Sequence, residues 1–193
     1  MVRPYPESIP SKINMLIHKY NPEWIKWFEA IQKELSNALG DMNYQIEHVG
    51  STAVPDLDAK PIIDIDIIYK DEILFDKIKD QLTGIGYYHN GDQGIEHREV
   101  FKRKSNQTHQ VLDKIKHHLY ACLEGSPGLQ RHLWVRNALR ENNDARLEYQ
   151  RLKYEIAALV NQDKKEYAQL KEARINHFLD GVISDYKDSI GSI

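Results

Sequence analysis

Two aspartates, Asp64 and Asp66, lie two positions apart in the most strand-like segment of the chain, residues 62–69. Side chains alternate between the faces of a strand, so both aspartates share one face and the isoleucines around them share the other. Aspartate is depleted in strands, and two carboxylates about 7 Å apart repel each other unless a cation lies between them. A hard divalent cation with oxygen ligands, such as Mg²⁺ or Mn²⁺, removes that repulsion. The pair therefore predicts a metal site.

A loop with the residue types of a phosphate site precedes this strand. Gly50 allows a ligand to approach the backbone closely. Successive N–H groups of such a turn can bind phosphate oxygens, and the hydroxyls of Ser51 and Thr52 add donors. Lys60, just before the strand, could reach a triphosphate. Taken singly, a Gly-Ser pair is usually a plain turn and Asp-x-Asp a half-solvated strand, but their order and spacing together predict a site for a metal-bound polyphosphate.

Hydrophobic periodicity and turn residues predict the elements that must position this site. Strands come early and helices late, which is typical of an α+β domain with a helical C-terminal part. The predicted helices are 21–40, 71–82, 126–140, 144–160 and 163–182, and the predicted strands are 44–49, 62–69, 87–88, 99–103 and 116–124.

No linker or internal repeat divides the chain into independent domains. We expect an extended, proline-rich arm over residues 1–20 and one domain over residues 21–183. Within that domain the sheet part runs to about residue 124, and the C-terminal helices occupy about 126–183. Residues 184–193 are expected to form a polar tail.

A longer motif around the predicted site resembles the GrpB family, within the polymerase-β-like nucleotidyltransferase superfamily. The resemblance is carried by residues 47–55, by Leu57 and by residues 59–65. Weaker matches extend it over most of the chain, from about residue 20 to residue 178. These are residues 20–24, His132, Leu133, Arg136, Leu139, Arg140, Tyr149, Leu152, Lys153, Tyr167 and Lys171.

The resemblance implies a nucleotidyltransferase fold, a small mixed β-sheet with packed helices. It implies that Asp64 and Asp66 are catalytic and hold Mg²⁺, and that Gly50 and Ser51 hold nucleotide phosphates. The implied reaction is attack on the α-phosphate with pyrophosphate as the leaving group, in a two-metal site. Members of the family are sometimes fused to dephospho-CoA kinase, which implies a functional link to coenzyme A metabolism.

The sequence departs from the active superfamily at one position. Active members supply a third carboxylate from a later strand, and the later strand here is 116–124, where His118, Tyr120, Cys122 and Glu124 would face the site. None of its central positions is acidic. The family pattern of His-Leu-His is His118-Leu119-Tyr120 in this chain. His118 is therefore a candidate metal ligand or general base, or else a polar residue on a solvated strand face.

Basic residues elsewhere are open to two interpretations. Residues 98–116 contain six basic and two acidic side chains, which suits either a phosphate-bearing ligand or an edge strand guarded by lysines. His132, Arg136 and Arg140 recur every four residues and share one helix face, which is usually solvent-exposed. Arg136 and Lys171 also match the family pattern and are candidate substrate or phosphate contacts.

Composition excludes several classes of protein. The 193 residues contain 26 Lys and Arg against 29 Asp and Glu, a net charge of −3, which disfavours a basic nucleic-acid scaffold. The single cysteine, Cys122, excludes an intramolecular disulfide and a Cys-based zinc site. The longest apolar runs are far shorter than the roughly 20 residues of a membrane span, and residues 1–10 have no signal-peptide core. We therefore expect a cytoplasmic protein.

Three functions fit these observations. The first is an Mg²⁺-dependent transferase that takes a nucleoside triphosphate and an unidentified small-molecule acceptor, with neither a membrane nor nucleic acid as partner. The second is a catalytically weak domain that binds a nucleotide or a CoA-related ligand as a sensor. The missing third carboxylate favours it, and the intact Asp64 and Asp66 pair counts against it. The third is an interaction protein whose helical C-terminal part is the working surface.

Overall fold

The computed structural model describes residues 16–191, which form one five-stranded sheet, five α-helices and a short 3-10 helix. The bounds of the elements lie close to those that the sequence predicts. The strands are β1 (Gln45–Val49), β2 (Ile63–Tyr69), β3 (Tyr87–His89), β4 (Arg98–Arg103) and β5 (His117–Leu123). The helices are α1 (Glu23–Leu39), α2 (Glu72–Gly84), α3 (Pro127–Glu141), α4 (Asn143–Leu159) and α5 (Lys164–Ile190), and the 3-10 helix is Ser51–Ala53.

The sheet is mixed, as the resemblance implies, with the strand order β1-β2-β5-β4-β3. Strands β2 and β5 are parallel, and every other neighbouring pair is antiparallel. In the register between β2 and β5, Asp64 lies opposite His118 and Asp66 lies opposite Tyr120. Because side chains alternate along β2, they must be accommodated on both faces of the sheet.

The main core lies on the face of β2 opposite the aspartates. Ile63, Ile65 and Ile67 are fully buried there, and Leu119 and Ala121 of β5 extend the same layer. Helices α1 and α2 cover this layer with Trp24, Ile31, Leu35, Phe75, Ile78 and Leu82. The predicted alternation along β2 and β5 is confirmed by packing, because Ile68 and Cys122, on the opposite face, form a separate small cluster with Leu129 of α3.

A second core joins the C-terminal helices to the segment around the Gly-Ser loop. Ala138 of α3, Tyr149 of α4 and Ile175 of α5 pack with Val54 and Leu57, which follow the loop. The helical part therefore holds the loop from behind. Among residues 16–191, no helix combines the length and the apolar character that crossing a membrane requires.

The predictions for the two chain ends are an extended N-terminal arm and a polar C-terminal tail. Residues 1–15 of the predicted arm lie outside the described residues, and at its described end Leu16 and Ile17 are buried in the second core. Helix α5 does not end near Val182 but continues to Ile190, through most of the predicted polar tail. The reason is that its packing continues, because Tyr186 contacts the second core and the Lys187 amine lies 3.5 Å from the centre of the Trp134 ring.

Shortening a side chain on the core face of β2 should destabilise the protein strongly. Ile65 is fully buried between the two aspartates in sequence, on the opposite face of the strand. We expect Ile65→Ala to lower the free energy of unfolding by about 2–5 kcal/mol, measured by chemical denaturation. The control is Ile73→Ala, because Ile73 is 73% exposed and should cost far less. Equal losses in the two variants would contradict the assigned core.

His48 should make the fold sensitive to acid. Its ring is stacked on Phe28 at 4.7 Å, and burial lowers its pKa from 6.5 to about 4. Between these values the unfolded chain binds a proton that the folded chain does not. Stability should therefore fall as the pH drops from 6.5 to 4, by about 3 kcal/mol from this group.

Denaturation over that pH range should show a flatter profile for His48→Gln than for the wild type. His177→Gln, at an exposed histidine of α5, is the matched control and should keep the wild-type slope. An unchanged slope in His48→Gln would mean that this histidine does not cause the acid sensitivity.

Candidate functional site

Strand β2 presents both predicted carboxylates on the face that α3 covers. The Asp66 side chain is completely buried, and that of Asp64 is 28% exposed. A buried carboxylate needs partners that offset its lost hydration. Each of the two has an imidazole as its partner, one from the sheet and one from a helix.

The imidazole partner of Asp64 is His118, the histidine predicted from β5. Its Nδ1 lies 2.8 Å from Asp64 Oδ1. The hydrogen bond to Asp64 raises the pKa of His118, and the charge of the carboxylate adds to this effect. Adjacent His117 points to the opposite face, as expected from alternation, where its Nε2 lies 2.6 Å from the Tyr87 hydroxyl.

The imidazole partner of Asp66 is His132, on α3. Its Nδ1 lies 2.9 Å from Asp66 Oδ2 and 3.2 Å from Oδ1. The sequence places His132 in a row with Arg136 and Arg140. The solvent-exposed interpretation is wrong for His132 and Arg136, whereas Arg140 is exposed although its guanidinium is bonded. Arg136 donates to the His48 carbonyl at 2.9 Å and to Glu47, and Arg140 donates to the Ala53 carbonyl at 2.7 and 3.0 Å.

The polar side of α3 therefore faces the sheet. Carboxylates that are buried without basic partners would cost more free energy than the helix loses by turning its polar side chains away from water. The four-residue spacing indicates that these residues share one helix face. It does not indicate whether that face is turned to solvent or to the sheet. Arg136, a candidate substrate contact, is already bonded within the protein and holds β1 to α3.

The Gly-Ser loop runs directly against Asp64. Gly50 has φ +71°, and a Cβ built on it would lie 2.3 Å from Asp64 Oδ2. Both the backbone conformation and the close approach therefore require glycine. Ser51 follows at the start of the 3-10 helix, with its Oγ 3.4 Å from the Tyr149 hydroxyl.

Thr52 has a different place from the one predicted. Its side chain is buried, its hydroxyl donates to the Ile62 carbonyl at 3.2 Å, and His48 Nε2 lies 3.0 Å from the same oxygen. These bonds hold the loop to the start of β2, and the hydroxyl is not directed to a ligand. We therefore retain Gly50 and Ser51 as candidate phosphate contacts and assign Thr52 to the loop structure.

Lysines from three elements gather near the loop. The Lys60 amine lies 3.9 Å from the centre of the Tyr167 ring. Burial, with the neighbouring charges of Lys171 and Lys164, lowers the pKa of Lys60 to about 8. Tyr149, Tyr167 and the Asp64 carboxylate raise the pKa of Lys171, although burial opposes them.

Lys153 completes this group from α4. It is almost fully buried, its amine donates to the Asp58 carbonyl and lies 4.6 Å from the centre of the Tyr149 ring, and burial lowers its pKa. In the sequence, Lys153 and Tyr149 are only matches to the family pattern. Nothing in their spacing could show that both lie close to Lys171 of α5.

The donor set can be compared with what a metal ion requires. Within residues 16–191, no three His, Cys, Asp or Glu side chains are grouped as ligands of one ion. Mg²⁺ that arrives with a nucleotide needs no such group, because one or two carboxylates, phosphate oxygens and water complete its octahedron. Asp64 and Asp66, on one face beside the Gly50 turn, fit this requirement.

The predicted third-carboxylate strand carries no acid beside the pair. Tyr120 and Cys122 follow His118 on the same face of β5, and burial raises the pKa of each. Glu124 comes after the end of β5, where its carboxylate lies 3.9 Å from the Lys70 amine. A third carboxylate does share the face, but it is Glu47 on β1, opposite Asp66 and bonded to Arg136.

Comparison with known proteins gives consistent matches. UPF0157 protein YqkA of Bacillus subtilis is 31% identical over 153 residues, 79% of this chain and 43% of YqkA, so the chain spans less than half of that relative. UPF0157 protein BH1888 of Halalkalibacterium halodurans is 31% identical over 175 residues, 90% of this chain and 85% of BH1888. A dephospho-CoA kinase of Mycolicibacterium paratuberculosis is 26% identical over 178 residues, and the chain covers 42% of it.

Among solved structures, the conserved protein GrpB from Enterococcus faecalis matches with a TM-score of 0.72 and 29% identity, over 88% of this chain and 98% of that one. A weaker likeness to the Cid1 poly(U) polymerase, with a TM-score of 0.44 and 11% identity over 64% of this chain, carries no conclusion about activity. The family model described as GrpB protein matches residues 14–180. With that span and with relatives of this similarity, the chain belongs to the GrpB family.

Proposed function

We propose that this chain binds a nucleoside triphosphate together with a divalent cation and transfers its nucleotidyl group to a small molecule. The observation that carries the proposal is the contact between the Gly50 turn and Asp64, where the built Cβ would lie 2.3 Å from the carboxylate. This contact brings a backbone without a side chain against a carboxylate, and the next residue, Ser51, adds a hydroxyl. A metal-bound phosphate requires those three features together.

The phosphates would be held from two sides. The turn at Gly50 and Ser51 offers N–H groups and a hydroxyl, and Lys60 and Lys171 supply positive charge. Lys60 is the better suited to respond to a ligand, since burial, together with the charges of Lys171 and Lys164, lowers its pKa to about 8. A phosphate close to Lys60 would stabilise its charged form.

Asp64 and Asp66 would hold Mg²⁺ or Mn²⁺. When bound, the ion would neutralise charge on the phosphates and on the leaving pyrophosphate. In the reaction, an acceptor oxygen forms a bond to the α-phosphorus, the bond from that phosphorus to the bridging oxygen breaks, and pyrophosphate leaves with the electron pair. The acceptor proton must pass to a base.

We assign His118 first to positioning Asp64, to which it is hydrogen bonded at 2.8 Å. Only a neutral imidazole can accept a proton, and this hydrogen bond favours the protonated form. His118 can therefore serve as the base for the acceptor only after it has released Asp64 and lost its proton.

A second candidate function is a nucleotide- or CoA-related ligand sensor without transferase activity. The specific observation in its favour is that β5 places His118 and Tyr120, and no acid, opposite the aspartates. The similarity to a dephospho-CoA kinase is the only support for a link to coenzyme A metabolism. For both functions we propose a cytoplasmic location. We also propose no nucleic-acid partner, because the net charge is −3.

A side chain at Gly50 should prevent nucleotide binding. Gly50→Ala places a methyl group against Asp64 Oδ2, so the affinity for the Mg²⁺ complexes of ATP, GTP, CTP and UTP should fall about tenfold or more for whichever binds. Calorimetry measures the loss. Gly40→Ala is the matched control, because Gly40 has a similar φ of +62° but nothing within 4 Å of its built Cβ.

Both variants carry similar backbone strain, and Gly50→Ala should lose more stability than Gly40→Ala because its methyl group also meets Asp64. Circular dichroism should show that both variants still fold. If Gly50→Ala binds nucleotide as well as Gly40→Ala does, the loop is only a turn and the proposal fails.

Removing the charge of Asp64 should abolish metal-dependent binding. We expect Asp64→Asn to lose the part of the nucleotide affinity that depends on Mg²⁺, because the amide is a much weaker ligand for a hard cation. Titrations with and without Mg²⁺ measure this difference. The control is Asp76→Asn, at an exposed aspartate of α2. The same Mg²⁺ dependence in both variants would exclude Asp64 as a metal ligand.

Release of pyrophosphate separates the two functions. With labelled nucleoside triphosphates and a pool of small metabolites, a transferase releases pyrophosphate and labels an acceptor, and Asp64→Asn does neither. Nucleotide binding without either product supports the sensor.

A further inference from the structure

A cavity of about 540 Å³ opens where strands β4 and β5 separate. Their pairing runs from Arg98 opposite Cys122 to Phe101 opposite Leu119 and then stops. Beyond that point β4 stays with β3, through Tyr87 opposite Arg103, while β5 stays with β2. The separation leaves a space between the two halves of the sheet that is large enough for a small-molecule ligand.

The charges around this cavity are unbalanced. Of its basic side chains, Arg103 is neutralised by Asp113 through two bonds of 2.7 and 3.0 Å. Arg98, Lys102 and Lys116 also line the cavity, and none of them forms an ion pair with a carboxylate among residues 16–191. Positive charge without a partner along a concave surface favours an anionic ligand.

Arg98 gives a second and independent indication. Its guanidinium carbon lies 5.0 Å from the centre of the Tyr120 ring, so the ring holds the side chain in place. Its Nε is buried and has no hydrogen-bond partner within the part of the chain that the structure describes. Buried donors are almost always satisfied, so the Arg98 guanidinium, which lines the cavity, has a hydrogen-bond donor that residues 16–191 leave unused.

The cavity adjoins the candidate site. His118 and Tyr120 belong to its lining, and these two residues lie opposite Asp64 and Asp66 in the sheet. Most of the remaining wall is apolar, with Val100, Leu112 and Ile115 beside Gln93 and His117. A ligand seated here would have its charged end at the basic side chains and could bring another group close to His118.

We propose that this cavity binds a small anionic molecule that carries a carboxylate or a phosphate group. The assignment of that molecule as the acceptor of nucleotidyl transfer rests on the proposed function, but its binding to the cavity does not. The proposal thus gives a chemical class to the second substrate: an anion of low molecular weight.

The test measures binding in the absence of metal and nucleotide, at constant ionic strength. The probes are citrate for carboxylates, glycerol 3-phosphate for phosphates, and glycerol as the neutral control. Calorimetry measures the binding of each probe. We expect at least one anionic probe to bind, and glycerol not to bind. Which anion binds decides between the carboxylate and the phosphate class.

A double variant locates the binding. Lys102→Gln with Lys116→Gln should lower the affinity for the anion about tenfold or more, because two charges are removed from the lining. Lys33→Gln with Lys77→Gln, at two exposed helical lysines, removes the same charge elsewhere and should leave the affinity unchanged. If no anionic probe binds, or if both double variants weaken binding equally, the proposal is overturned.

Failure of this proposal and failure of the proposed function give different results. Anion binding that survives in Gly50→Ala, together with unaltered nucleotide binding in that variant, would overturn the nucleotide site and keep the cavity. Nucleotide binding that Gly50→Ala removes, with no anionic probe bound, would overturn the cavity proposal and support the nucleotide site. An anion bound equally by the wild type and by Lys102→Gln with Lys116→Gln would lie elsewhere, for example beside Lys60 and Lys171, and would overturn the cavity assignment.

Discussion

The two-residue alternation of β2 is the constraint on which the rest of the structure depends. Its isoleucines must be buried under α1 and α2, and this forces both aspartates onto the opposite face. Because the side-chain period is two, a slip of one residue would exchange the faces and place the carboxylates in the main core. The core and the candidate site are therefore two sides of one strand. Its register is specified by the large cost of burying Asp64 and Asp66 among apolar side chains.

The carboxylate face in turn explains why the helical part is integral to the site. Asp66 has no exposed surface, so α3 must bring a basic partner with it, and His132 is that partner. Arg136 does the same for Glu47. Once α3 is held in this way, α4 and α5 pack behind the Gly-Ser loop and bring Tyr149 and Lys171 towards it. The charge on the sheet thus determines the place of residues far away in sequence.

Local signals made the strands, most helix bounds and the Gly50 loop predictable from the sequence, and the family resemblance implied the mixed sheet. Alternation, caps and turn residues act within a few positions, and the structure bears them out at β2, β5 and Asp163, the N-cap of α5. The inward face of α3 was not predictable in this way. Basic residues at four-residue spacing form the same pattern whether their helix face is turned to water or to a buried acid. The acid that decides the question, Asp66, lies 66 positions from His132 in the sequence. The cavity depends on where β4 leaves β5, and no local pattern encodes that separation.

The balance of charges bears on how a cation could enter the site. Three carboxylates share the face, from Asp64, Asp66 and Glu47, and each has its own basic partner in His118, His132 or Arg136. A cation that arrived alone would have to displace one of these partners and would gain little, since the carboxylates are already compensated. A cation that arrives with a polyphosphate brings its own negative ligands, and these can also bind the lysines beside the loop. The arrangement therefore favours coupled binding of metal and nucleotide over a preformed metal site, which agrees with a site that offers only two carboxylates on β2.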